Sequence, residues 1–164
     1  MPGDSIMKTT KIALVIVLAV QIVTSSLAAD PDATKKDIGL FQGEWTMVSG
    51  AADGVPIPDY MFNQIRQVFS GAQMTGTISG TMYWKVKFAI DPSKSPKTID
   101  YEIIGGPAAG AKQLGIYELN DDTCKLCVGK LNGARPKNFD AARGTGNTAS
   151  TWKLVKSAPP IKGT

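Results

Sequence analysis

The sequence contains no histidine and only two cysteines in 164 residues. Without histidine the chain cannot build a Ser-His-Asp triad, a Cys-His dyad or a histidine-ligated zinc site. Two cysteines are too few for a disulfide-rich scaffold or a four-cysteine metal site. We therefore expect a protein that is not an enzyme, with no catalytic residues, no metal and no cofactor.

Charge is also sparse, with 18 Lys and Arg residues against 14 Asp and Glu residues and a formal net charge of +4. The basic residues are spread along the chain, and Lys35-Lys36 is the only adjacent basic pair. Nucleic-acid binding needs a basic stripe with aromatic platforms, so no nucleic-acid partner is expected. The length and the 43% hydrophobic content indicate one globular domain.

The N-terminal segment has the organisation of an export signal. An apolar run over residues 12–23 follows two lysines and is too short for a membrane span of about 20 residues. Ser26-Leu27-Ala28 then provides a cleavage site, with Ala29 as the neighbouring alternative. We predict a signal peptide over residues 1–28, with Met7 as a candidate start, and a periplasmic or secreted mature protein without a membrane span. The alternative is a single N-terminal anchor helix.

The rest of the chain is typical of an all-β protein. Residues 29–39 are polar and predicted to be a flexible lead-in, and residues 158–164 a disordered tail. Between them, about eight short segments alternate apolar and polar residues and are separated by turns. One short helix is predicted over residues 60–66, and residues 130–148 form a long loop with at most one irregular strand. With so little helix to cover an apolar face, the sheet must close on itself. We predict an eight-stranded antiparallel β-barrel over residues 40–157, with one short helix after the first strand.

The alternation also predicts which side chains face the barrel interior. On the most regular strand, Met82, Trp84, Val86, Phe88 and Ile90 lie opposite the lysines at positions 85 and 87. The interior, and hence ligand-binding, candidates of the whole chain are Met47, Trp84, Val86, Phe88, Ile99, Tyr101, Ile103 and Trp152. Gly43 and Trp45 are assigned structural roles, with Trp45 as a plug in the barrel floor. An eight-stranded barrel is either filled by such side chains or holds one small ligand.

Cys124 and Cys127 form a Cys-x-x-Cys within a predicted strand, away from any helix N-terminus that would stabilise a thiolate. Side chains three residues apart on a strand point to opposite faces, and the two Cα atoms lie about 10 Å apart. A disulfide needs Cα atoms within about 7 Å, so only a bulge would allow the bridge. The strand geometry predicts one buried thiol and one outward thiol.

Paired carboxylates offer the remaining route to catalysis. Asp100 and Glu102 share one strand face at about 7 Å, a spacing found in inverting glycosidases. They lie opposite an apolar face, so the favoured interpretation is two solvated side chains. Glu44 and Glu118 have apolar neighbours and are expected to form structural ion pairs with arginines.

Several segments together resemble a known family. Residues 40–45, Leu-Phe-Gln-Gly-Glu-Trp, resemble the Gly-x-Trp entry strand of lipocalin-like barrels. Residues 55–58, 91–100, 115–119, 126–127 and 135–136 extend the likeness in order along the chain. The set is similar to an uncharacterised lipocalin-like domain family that is abundant in planctomycete bacteria. The resemblance implies an eight-stranded lipocalin-like fold and brings no established activity with it.

Two functions are compatible with these observations. The first is an exported, monomeric binding module for a small apolar or amphipathic ligand held inside the barrel. The second is a filled barrel that contacts an envelope protein or glycan through the loops at residues 105–110 and 130–148. A cavity open at one end favours the first, and a solid interior favours the second.

Overall fold

The computed structural model describes residues 30–157. The predicted signal peptide and C-terminal tail lie outside these residues. The elements in chain order are α1 (Pro31–Phe41), β1 (Gly43–Ala52), β2 (Val55–Pro56), α2 (Asp59–Phe62), β3 (Ile65–Ser70), β4 (Gln73–Ile78), β5 (Thr81–Asp91), β6 (Lys97–Gly105), β7 (Lys112–Leu119), β8 (Thr123–Val128) and β9 (Thr148–Ser157). Neither helix of this part of the chain is long and apolar enough to cross a membrane.

The strands form a closed barrel, which confirms the predicted fold class. β1 and β3 to β9 pair antiparallel with their neighbours in order, and β1 also pairs with β9 along most of its length. The eight strands therefore leave no free edge in the barrel wall. β2 is an extra two-residue strand that pairs only with the end of β1. The short helix α2 follows β1, as the prediction placed it.

The alternating strand directions give the barrel two different ends. At the first, here called the closed end, β1 begins, β9 ends and α1 packs against β5 and β7. The second, the open end, carries the tight β4–β5 turn and three longer connections: β1 to β3 through β2 and α2, β6 to β7, and the 19 residues between β8 and β9. The tight β3–β4 turn and the short β7–β8 turn lie at the closed end.

The prediction of a flexible lead-in over residues 29–39 is wrong, because most of this segment belongs to α1. The Asp30 side chain caps the helix by accepting from the Asp32 N–H at 3.0 Å. Pro31 occupies the first turn, where its missing N–H costs no helical hydrogen bond. Asp37 and Phe41 are buried against the barrel. The first barrel strand consequently starts at Gly43 rather than at residue 40.

The second predicted helix is shorter than expected. α2 ends at Phe62, and Ile65 and Arg66 belong to β3 instead of to a helix over residues 60–66. Ile65 is buried and pairs with Ile78 of β4, so cross-strand pairing prevails over the local helical pattern. The segment between β8 and β9 contains no strand.

A cluster of aromatic rings fills the closed half of the barrel. Phe41 of α1 lies at 5.0 Å from Phe69, 5.2 Å from Tyr117 and 5.7 Å from Phe88, measured between ring centroids. Phe69 and Phe88 complete the cluster edge to face at 5.3 Å. All four rings are buried, so the C-terminal turn of α1 acts as a stopper in this end of the barrel.

A polar contact fastens α1 to the barrel wall. The Asp37 carboxylate accepts from Lys97 Nζ and from the Tyr117 hydroxyl, each at 2.7 Å. Burial, and then the hydrogen bond to Asp37, raise the pKa of the Tyr117 hydroxyl, which therefore remains a donor. Three sequence-distant side chains thus hold the helix across the closed end.

Candidate ligand-binding cavity

The open half of the barrel is hollow and contains a cavity of about 430 Å³. This volume falls within the range of small-molecule sites, roughly 300–1,000 Å³. Six of the eight predicted interior residues line it: Met47, Trp84, Val86, Tyr101, Ile103 and Trp152. The wall is completed by residues that the sequence analysis did not select: Ile57, Ile65, Gln67, Met74, Ile78, Tyr83, Pro107, Ala108, Gln113, Leu126, Val128, Leu131, Thr148 and Ser150.

The two remaining predicted residues, Phe88 and Ile99, are buried but do not line the cavity. Phe88 belongs to the aromatic cluster of the closed half, and Ile99 is fully buried in the core that surrounds it. Both side chains point inward as predicted, but they lie in the filled closed half and not beside the cavity.

Gly43 and Trp45 lie at the start of β1, at the closed end of the barrel. Trp45 is buried outside the cavity, and its Nε1–H donates to the Phe41 carbonyl oxygen at 2.7 Å. This position agrees with a floor plug. Gly43 has a φ of 127°, which L side chains rarely adopt, so a glycine there allows the chain to pass from α1 into β1.

Trp84 owes its position to the glycine opposite. Gly76 of β4 pairs with Trp84 of β5, and a Cβ at Gly76 would overlap the indole ring. The β4–β5 register shifts immediately after this pair, between Gly76 and Thr77. Met82, predicted to face inward, is instead 49% exposed, because the shift interrupts the regular alternation beyond Trp84.

The mouth of the cavity is apolar and is built by the open-end connections. Ile57, Pro107, Ala108 and Leu131 line it from three different loops. Tyr83 adds an exposed ring that meets Trp84 edge to face at 5.6 Å between centroids. An apolar molecule therefore meets mainly apolar side chains at the rim.

Polar side chains enter the cavity wall at only a few places. Gln113 Nε2 donates to the Gly129 carbonyl oxygen at 2.7 Å, and Ser150 Oγ accepts from Trp152 Nε1 at 2.8 Å. Gln67 Oε1 and the Tyr101 hydroxyl, by contrast, have no hydrogen-bond partner among residues 30–157. No charged side chain of this part of the chain lines the cavity.

Gln67 is not among the predicted interior residues because polar side chains are mostly exposed in proteins. It alternates with Ile65 and Phe69 on β3, and all three are buried. The period-two position of Gln67 was therefore a usable signal. A glutamine that alternates with two apolar residues on a strand indicates a polar side chain that points inward. Buried polar side chains are rarer than buried isoleucines and are therefore more informative about function.

The two cysteines face opposite sides of β8, as the spacing predicted, but neither is exposed. Cys124 lies in the barrel core, and Cys127 is buried on the outer side, with Sγ at 3.7 Å from the Asp140 carbonyl oxygen. Cys127 points outward as predicted, and it is buried as well because the β8–β9 connection, which contains Asp140, covers this face. Burial, with a smaller contribution from Asp140, raises the pKa of Cys127 to about 11. Both thiols are free.

The two carboxylates that offered a catalytic alternative differ in their surroundings. Asp100 pairs with Arg135 at 2.7 Å, and Glu102 is exposed on the outer face. The predicted ion pair of Glu44 is formed with Arg66 at 3.4 Å. Glu118, which was expected to pair with an arginine, lies 3.2 Å from a lysine, Lys125 Nζ.

Arg135 also has a structural function in the long β8–β9 connection. Its guanidinium donates to the Gly115 carbonyl oxygen at 2.6 Å and to the Ile99 carbonyl oxygen at 3.3 Å. These bonds hold the connection against the outside of β6 and β7. Within residues 30–157, no three His, Cys, Asp or Glu residues lie close enough together to hold a metal ion.

The chain matches no protein-family model, no curated protein and no solved structure.

Proposed function

We propose that the protein is an exported binding module that holds a small apolar or amphipathic molecule in the open half of its barrel. The observation that carries this proposal is the cavity of about 430 Å³, with an apolar wall and an apolar mouth. Protein interiors are normally close-packed, and voids larger than a water molecule are few. The closed half of the same barrel is filled, so the cavity is a local feature of the open half. Its size and its opening to one end are what a ligand site requires.

Export and family membership belong to the same proposal. The segment over residues 1–28 has the features of a signal peptide, and the ordered motifs between residues 40 and 156 resemble a lipocalin-like family. A protein outside the cytoplasm would encounter free small molecules, so the proposed export is consistent with the proposed ligand cavity. N-terminal sequencing of the mature protein should begin at Ala29 or Asp30, and recovery of the intact N-terminus in the membrane fraction would contradict export.

The loops that the second hypothesis assigns to a protein or glycan partner contribute to the cavity itself. Pro107 and Ala108 come from the β6–β7 connection, and Leu131 comes from the β8–β9 connection. Their apolar side chains form the mouth of the cavity, so these two loops support ligand entry.

Binding can be measured with N-phenyl-1-naphthylamine, a neutral dye that becomes fluorescent in apolar surroundings. Saturable binding of one dye per chain is expected, with energy transfer from Trp84 and Trp152, which both line the cavity. Emission that rises linearly without saturation would contradict the proposed function.

A pair of variants on β6 tests whether the dye binds inside the barrel. Ile103 lines the cavity, whereas its neighbour Ile104 is exposed on the outside of the barrel. Ile103→Trp should fill the hollow and abolish dye binding, because the added ring occupies the ligand volume. Ile104→Trp adds the same ring outside and should leave binding unchanged. Equal binding by the two variants would mean that the dye does not enter the barrel.

A further inference from the structure

Trp84 differs from the other two tryptophans in how much of its surface stays accessible. Trp45 and Trp152 are 1% and 2% exposed, whereas Trp84 is half-buried and lines the cavity. Small-molecule sites are lined mainly by apolar and aromatic side chains of this kind. Of the three tryptophans, Trp84 therefore has the most surface to offer to a ligand.

The indole of Trp84 lies flat on the backbone of β4. A Cβ at Gly76 would overlap three of its ring atoms, with Cε2 the nearest and Cζ2 and Cδ2 next. Cε2 belongs to both rings of the indole, and an approach within the ring plane would meet Nε1 or Cζ2 first. The Cβ position therefore lies over the face of the indole, so this face covers Gly76.

The opposite face of the indole is turned toward the barrel interior. Met74 and Ile78, two residues to either side of Gly76 on β4, both line the cavity. Because side chains on a strand alternate between its faces, the Cβ direction at Gly76 is inward as well. The indole thus occupies the inward position of Gly76, with one face on the wall and the other toward the cavity.

No side-chain ring within residues 30–157 stacks in parallel on this second face. Tyr83 is the one ring of this part of the chain that packs against Trp84, and its plane stands at 85° to the indole. Aromatic rings pair in offset-stacked as well as in edge-to-face arrangements. A flat ring inside the cavity can therefore stack on the indole next to Tyr83.

We propose that the ligand contains a flat aromatic ring system that stacks on the cavity side of Trp84, and that Gly76 determines this specificity by letting the indole lie against the wall. This inference rests on the proposed function. An aromatic pair is more stable than burial of the same area alone, so a flat ring should bind better than a saturated ring of the same skeleton. The cavity of about 430 Å³ has the volume of a site for a molecule of two fused rings.

Two alcohols with the same carbon skeleton test the flat ring. 2-Naphthol is aromatic and planar, decahydro-2-naphthol is its saturated and puckered counterpart, and both are uncharged at pH 7. Isothermal titration calorimetry is suitable because the fluorescence of 2-naphthol does not disturb it. We expect the wild-type protein to bind 2-naphthol with a Kd at least about threefold lower than that of decahydro-2-naphthol.

The outcome separates this inference from the proposed function. A smaller or reversed preference, or no binding of 2-naphthol, would overturn the inference, and saturable binding of N-phenyl-1-naphthylamine would still support a ligand cavity. Absence of saturable dye binding would overturn the proposed function itself.

Leucine variants of two neighbouring aromatic residues test the position of the ring. Trp84→Leu removes the indole and should reduce the preference for 2-naphthol to about twofold or less. Tyr83→Leu removes the adjacent ring and should retain the wild-type preference. Each ratio is taken within one folded variant, so a change in overall affinity cancels. A full preference in Trp84→Leu, or its loss in Tyr83→Leu, would refute the assignment to Trp84.

A glycine variant keeps the indole and tests its placement. Gly76→Ala adds a methyl group that must push the ring off the wall and into the cavity, so 2-naphthol should bind about tenfold more weakly or less. Gly39→Ala adds the same group where no other atom lies within 4 Å and should leave binding unchanged. Circular dichroism confirms that both variants are folded. Equal binding by the two variants would refute the role of Gly76.

Discussion

The two halves of the barrel are built from the same strands and differ in what fills them. β6 contributes Ile99 to the closed half and Ile103 to the open half, and both side chains point inward. Around Ile99 the interior is closed by α1 and four aromatic rings. Ile103, by contrast, lines the cavity of the open half together with Trp84 and Val86 of the neighbouring strand. The position of an inward apolar residue along the barrel axis therefore decides whether it belongs to the packed core or lines the cavity.

The strongest test of this contrast removes the stopper. Phe41→Ala deletes a fully buried ring that contacts three others, and we expect it to lower the free energy of unfolding by about 3–5 kcal/mol. Urea denaturation followed by circular dichroism would measure the loss. Tyr60→Ala, at a position 73% exposed, should change stability by no more than about 0.5 kcal/mol. A loss below about 1 kcal/mol for Phe41→Ala would show that α1 does not seal the closed end.

The next test adds volume to each half on the same strand. Ile99→Trp should destabilise the protein by about 1–3 kcal/mol, because the filled half cannot accept a larger side chain without strain. Ile103→Trp should cost less than about 1 kcal/mol, because its ring can enter the cavity. The urea midpoints of the two variants, measured under the same conditions, give the comparison. Equal losses would mean that the two halves are packed alike.

A third test concerns the polar contact of the closed end. Asp37→Ala should cost about 1–3 kcal/mol, because the buried Tyr117 hydroxyl loses its partner. Lys97 is partly exposed and can be solvated, so it adds little to this loss. Asp32→Ala, on the exposed first turn of α1, is the matched control with an expected change below about 1 kcal/mol. A larger loss for the Asp32 variant than for the Asp37 variant would contradict this account.

The smallest effect is expected on the outer face. Lys87→Ala removes an exposed side chain of β5 and should change stability by no more than about 0.5 kcal/mol, whereas Phe88→Ala on the same strand should cost about 3–5 kcal/mol. Thermal unfolding of the two variants gives the comparison. If Lys87→Ala were the more damaging change, the inward and outward faces of β5 would be reversed.

The sequence was sufficient to predict the barrel because the inward and outward residues alternate over most strands. Val86, Phe88 and Ile90 are buried as expected, and the register shifts beyond them explain why Met82 is not. The cavity was not predictable in the same way. Its volume depends on which strands bring small residues such as Gly76 opposite large ones such as Trp84, and that pairing depends on a register shift.

The helix α1 was missed for a related reason. Its sequence has little net hydrophobicity, and one of its two buried side chains is the carboxylate of Asp37. The groups that make this burial favourable, Lys97 and Tyr117, lie 60 and 80 residues away in the chain. Local patterning carries no information about such partners. The capping aspartate at position 30, followed by Pro31, was the available local indication of a helix start.

The pairing of β1 with β9 has a consequence for how the protein reaches its folded state. These strands are joined although about a hundred residues separate them in the chain, so the barrel closes only after its last strand has arrived. Until then β1 and β8 each present a row of unpaired backbone groups, the kind of edge that recruits other chains. Contacts between such distant segments form slowly because the intervening chain must first be ordered. The molecule is thus expected to be most prone to self-association late in folding, while its two terminal strands are still apart.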